Sequence, residues 1–87
     1  MQSVPRSFVS RIGVHGAYKV AGWRYTEDIA WHVKAGRKGT DQRSRAYVVR
    51  DGEFDPNTAI STEKIAILSL IAEWEAVLDL SDPSDPD

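Results

Sequence analysis

Residues 61–79 read STEKIAILSLIAEWEAVLD, a run without glycine or proline built mostly from strong helix formers. At 100° per residue, Ile67, Leu70, Ile71, Trp74, Val77 and Leu78 fall within one arc of about 120°, the apolar stripe of a helix that covers a core. Ser61 stands where an N-cap is needed, and Glu63 lies in the first turn, where the helix dipole favours an acid. The expected helix is therefore Thr62–Asp79. Ser69 and Glu73 flank the stripe on one side, Glu75 and Asp79 on the other. Between these flanks Ile65 and Leu68 form a second, smaller apolar strip. A helix resting on one sheet has no use for it, so it meets a loop, a second protomer or water.

Upstream of this helix the text is that of strands and turns. Asp55-Pro56-Asn57-Thr58 is turn sequence. Ser44–Arg50, dense in Tyr47, Val48 and Val49, reads as a strand, and Asp51-Gly52 is the dipeptide preferred in type I′ turns, beyond which Glu53-Phe54 folds back. Gly36–Gln42 is a basic loop. Residues 27–35 admit two readings. Ile29, Trp31, Val33 and Ala35 alternate with smaller or polar residues, as in a half-buried strand. Thr26 as N-cap and Gly36 beyond the end would instead frame a short helix. The strand is favoured, because the helix would set Trp31 and His32 off the Ile29/Val33 face. Ser7–Val14 and Ala17–Tyr25 flank a His15-Gly16 turn and form a hairpin. Phe8, Ile12 and Val14 share one parity; Tyr18 and Val20 fall out of step with Trp23 and Tyr25 at Gly22, where a β-bulge would restore the phase. The expected fold is α+β: a small antiparallel sheet of three to four strands covered by one long C-terminal helix. Residues 1–80 form a single domain, and 81–87 (SDPSDPD) an acidic, proline-rich flexible tail.

Eighty-seven residues support one core and no second. Ile, Leu, Val and Phe account for 20 of the 87, above the range of intrinsic disorder. Cysteine is absent, which excludes disulfides, a thiolate nucleophile and Cys-based metal sites. No window approaches the roughly 18 apolar residues of a membrane span, and Met1–Ser10 lacks a signal-peptide apolar run, so a cytoplasmic protein without membrane partners is the expectation.

The formal charge of −2 conceals an asymmetry. Residues 1–50 hold ten Lys/Arg and three Asp/Glu, a net of +7; residues 51–87 hold one Lys and ten Asp/Glu, a net of −9. The basic half coincides with the expected sheet and its loop, the acidic half with the helix and tail. Arg37, Lys38, Arg43 and Arg45 are candidate contacts for a partner or for nucleic-acid phosphates, interleaved with aromatics that could stack on bases. Glu75, Asp79 and Asp82 form a candidate acidic face for a basic partner, and Ile65 and Leu68 a candidate strip for a partner or self-association.

Catalytic and metal signatures are missing. There is no G-x-S-x-G, P-loop or G-x-G-x-x-G, and His15 and His32 stand singly, the first in a turn and the second in the strand-or-helix segment. Asp51, Glu53 and Asp55 alternate like calcium ligands, but Pro56 occupies the position that needs Gly and Thr62 the position of the bidentate Glu. Neither an enzyme, nor a cofactor or metal, nor a small-molecule substrate is expected. The expected function is a small non-enzymatic protein-interaction module: a homo-oligomer, or an accessory or inhibitory subunit that docks on a larger protein through segregated charge and the apolar helix strip. Compact proteins of this type are frequent among phage-encoded inhibitors and regulators. The alternative is a nucleic-acid-binding regulator using the basic, aromatic sheet and loop.

Overall fold

The computed structural model describes residues 7–39 and 44–81, with side chains described through Leu78. Five strands, β1 (Phe8–His15), β2 (Tyr18–Tyr25), β3 (Trp31–Arg37), β4 (Arg45–Arg50) and β5 (Glu53–Asp55), precede one helix, α1 (Ser61–Ser81). All neighbouring strands pair antiparallel in the order β1-β2-β3-β4-β5, a meander in which each strand lies beside its sequence neighbour. The fold is α+β, one strand larger than the three to four expected. The extra strand is the brief return after Asp51-Gly52, where both residues take positive φ (52° and 80°), as a type I′ turn requires. The two-fold ambiguity at residues 27–35 resolves as strand from Trp31 onward. Ile29 lies before it, exposed, and Asp28 Oδ1 accepts the Ile29 N–H at 2.8 Å.

One face of the sheet carries the core. Val20, Trp31, Val33, Ala35, Tyr47 and Val49 are buried against Ile67, Leu70, Ile71 and Trp74 of α1, with Phe54 and Ala59 closing the β5 side. Leu78 packs at the margin of this core as the helical stripe requires, whereas Val77, at the edge of that arc, remains half-exposed. Trp31 and Trp74 meet with ring centroids 5.2 Å apart, and Trp31 Nε1 donates to Glu75 Oε2 at 2.9 Å, so the largest core side chain also satisfies its polar atom. At the other end of α1, Glu63 is only 4% exposed and accepts the Tyr47 hydroxyl at 2.9 Å. The helix begins one residue earlier than expected: the Ile60 carbonyl accepts the Lys64 N–H at 2.9 Å, which puts Ser61 inside the first turn rather than at the cap.

The hairpin departs from the sequence reading in phase. Pairing runs unbroken from Phe8↔Tyr25 to His15↔Tyr18, with no bulge at Gly22. The tight turn is Gly16-Ala17, one residue later than expected, with Gly16 at φ 59° in the first central position. Consequently Val9, Gly13, Val20 and Gly22 face the helix, while Phe8, Ile12, Val14, Trp23 and Tyr25 face away. The cause is Trp74. A Cβ on Gly22 would lie 2.8 Å from its indole, and one on Gly13 2.7 Å from Leu70, so the core side of the hairpin is kept low where the helix comes closest.

Candidate functional site

With the phase set by Trp74, the hairpin's bulky residues stand on the face that no described element covers. The register sorts this open face into rows running across the strands. Ser10, Trp23, His32, Val48 and Asp55 form one row; Ile12, Ala21, Lys34 and Ala46 form the next. Phe8 and Tyr25 lie beyond the first, Val14, Lys19 and Gly36 beyond the second. Phe8, Ile12 and Val14 are 58%, 70% and 50% exposed, unusual for large apolar side chains that share one face of one strand, where Ser10 is the remaining position. Trp23 stacks on His32 with centroids 4.2 Å apart and planes at 11°, and Tyr25 and Phe8 meet its edge at 5.1 and 6.0 Å. The result is a tall aromatic ridge next to a low floor of Ala21 and Ala46, with a shallow groove of about 650 Å³ between them and Ile12. Lys19 and Lys34 rise from the low side.

The basic candidates lie elsewhere. Arg37, at the end of β3, and Arg45, at the start of β4, are exposed on the helix side and line one cavity of about 280 Å³ with Tyr18, Thr62 and Glu63. The Tyr18 hydroxyl and Thr62 Oγ1 are 3.2 Å apart there. Burial, with the Glu63 hydrogen bond and charge added, raises the Tyr47 pKa above its ordinary 10.0, and Arg45 works in the opposite direction. Lys38 is exposed beyond β3, its N–H donating to the Ala17 carbonyl at 2.8 Å. Arg43 lies outside the described residues. The structure thus brings Arg37 and Arg45 together, but beside a buried carboxylate rather than among the exposed aromatics.

The acidic and apolar helix candidates are likewise divided. Ile65 and Leu68 are exposed on the outer side of α1. Glu75 is half-buried and holds the Trp31 indole. The side chain of Asp79, and residues 82–87 of the expected tail with Asp82 among them, lie outside the described residues; Ser81, expected to open the tail, instead closes α1, which runs two residues past the expected end at Asp79. Charge that is segregated along the sequence is therefore partly interleaved in space: Arg37 and Arg45 share a cavity with Glu63, while the open face carries Lys19, Lys34 and Arg50 against Glu53 and Asp55. Arg50 also approaches Asp28 at 3.7 Å across the surface.

No cluster of three or more His, Asp or Glu side chains suited to a metal ion occurs among the described residues, and no helix among them is long and apolar enough to cross a membrane. The chain matches no protein-family model, no curated protein and no solved structure. The open face is what sequence reasoning missed. The signal was present: two glycines on the opposite parity, Gly13 and Gly22, each marking a place where a neighbour approaches closely.

Proposed function

We propose that this chain is a small protein-interaction module, without catalysis of its own, that docks through the open face of its sheet as an oligomer or as an accessory or inhibitory subunit in a cytoplasmic setting. One observation carries the reading: a contiguous apolar and aromatic surface formed by Phe8, Ile12, Val14, Trp23, Tyr25 and Val48, with lysines at its low side. Exposed apolar patches of this kind mark interaction sites more often than scattered surface residues do. The occupant that fits is a second protein layer, because a sheet buried on both faces is the ordinary resolution of two apolar faces. The Ile65/Leu68 strip is smaller and secondary in this reading.

Lys19 and Lys34 on the same face as Trp23 also favour the nucleic-acid alternative. Against it, one face of the Trp23 ring is stacked on His32, and Phe8 and Tyr25 pack T-shaped against the same ring, so a base would compete with three neighbours already in place. Titration with fluorescent random-sequence DNA and RNA at low salt separates the two, since electrostatic binding is strongest there; no binding removes the alternative. For the docking reading, tagged protein is captured from its native host after nuclease treatment. A protein partner, a second copy included, is expected to be lost in Trp23→Glu and kept in Leu68→Glu. The reverse pattern overturns the reading.

A further inference from the structure

Building on the open-face reading, we infer that the occupant of this face is a second copy of the same chain, packed face to face about a two-fold axis that runs across the strands between the Trp23 row and the Ala21 row. The argument is the division of the face into a tall half and a low half. Phe8, Tyr25, Trp23, His32 and Val48 stand on one side of that line. Val14, Ile12, Lys19, Ala21, Lys34 and Ala46 stand on the other, where the two alanines make the low floor. A two-fold rotation about the line lays each strand over its own copy with direction reversed, and exchanges the rows. Trp23 then lies over the partner's Ala21, Val48 over the partner's Ala46, and Phe8 over the partner's Val14. Trp23, Val48 and Phe8 thus each meet a smaller side chain, and Ile12 meets the partner's Ser10. Lys19 comes over the partner's Tyr25, within the geometry of a cation–π contact.

The other in-plane two-fold, parallel to the strands through β3, fits less well. It sets Phe8 over the partner's Glu53, Ser10 over the partner's Asp55 and Lys34 over the partner's Lys34. Size and charge both choose the first axis, and an isologous contact closes on itself without leaving an open end for filaments. Two sheets stacked in this way are spaced about 10 Å apart with strands within about 30° of parallel, which keeps the central matches in register.

The area is sufficient, though only just. The 32 residues of the five strands, at a rise of about 3.4 Å and a strand spacing of about 4.8 Å, give a footprint of about 500 Å² per copy, about 1,000 Å² in all. That is the lower bound for a specific interface. With Lys34 placed over the partner's His32 near the middle, the contact is a modest one that dissociates on dilution.

Sedimentation equilibrium from low-micromolar to submillimolar loading tests this, with circular dichroism to establish that each variant is folded. The wild type is expected to show a reversible monomer–dimer equilibrium. Ala21→Trp raises the low half against the partner's Trp23 and is expected to weaken dimerisation at least about tenfold. The double variant Ala21→Trp/Trp23→Ala exchanges tall for low in both copies and is expected to recover most of that loss, which a merely damaged surface would not. A wild type that stays monomeric, or a double variant no better than Ala21→Trp, overturns the self-pairing. If the monomer still captures a Trp23-dependent partner from the host, open-face docking stands without it. A dimer indifferent to Trp23→Glu but lost in Leu68→Glu removes both.

Discussion

The two faces of the sheet are made from the same alternating strands, yet they carry opposite distributions of bulk. On the covered face the hairpin contributes Val9, Gly13, Val20 and Gly22 and the helix brings the large groups, Trp74 and Leu70. On the open face the hairpin itself supplies Phe8, Ile12, Val14, Trp23 and Tyr25. The difference teaches that size does not decide which side of a strand is core. The partner's shape decides it: where a tryptophan descends from above, the strand beneath must be bare.

The sharpest way to break this comparison is to remove the descending group. Trp74→Ala is expected to cost about 3–5 kcal/mol, comparable to the whole stability of a small domain. Its thermal transition should lose cooperativity; a sharp and nearly unshifted melt would show that Trp74 does not organise the covered face. Next in size is an added methyl on either face of one strand. Gly22→Ala sets a Cβ 2.8 Å from the Trp74 ring and is expected to cost about 1–3 kcal/mol in denaturant titration, whereas Ser10→Ala on the open side should stay within about 0.5 kcal/mol. Equal costs would erase the distinction between the faces.

A comparable effect concerns the polar contact at the rim of the covered face. Tyr47→Phe leaves the Glu63 carboxylate buried without its donor, an expected loss of about 1–3 kcal/mol. The same pair gives a pH signature. Because the folded-state pKa of Tyr47 is raised, the folded chain holds the proton more tightly than the unfolded one, so this contribution is complete below pH 10 and declines as pH rises from there to the raised value. Urea titrations between pH 9 and 11 should show a steeper alkaline loss in the wild type than in Tyr47→Phe, after allowance for the other tyrosines common to both. Parallel curves would sink the assignment.

How much of this was legible in the sequence differs between elements for physical reasons. The helix was, because its 3.6-residue stripe extends over about three turns and names its own buried side: Ile67, Leu70, Ile71 and Trp74 are all core. The strands were legible as strands, including Trp31–Arg37, since alternation and β-branched residues mark them locally. Their facing was not. In Phe8–His15 both parities hold apolar residues, and the larger set is the exposed one. A period of two gives no further phase information, so only the tertiary position of Trp74 breaks the tie. Glu63 illustrates the same limit. Its place in the first turn was evident, but its burial under Tyr47 depends on β4 lying beside it. The charge asymmetry of the two halves was read correctly as a count and only partly as a surface, because the arginines of the sheet and the acids of the helix meet across the same layer.

The meander has a consequence for how the molecule comes into being. Every strand pairs with the one made just before it across a short connection, so the contacts that build the sheet span little sequence and close quickly. The helix, however, is synthesised after all five strands. Until α1 docks, the sheet meets water on both sides, and apolar side chains stand on its open face as well as on its future core face. Two different faces therefore compete for the same apolar cover in any chain whose sheet has formed first, and docking of the helix resolves which face remains outward.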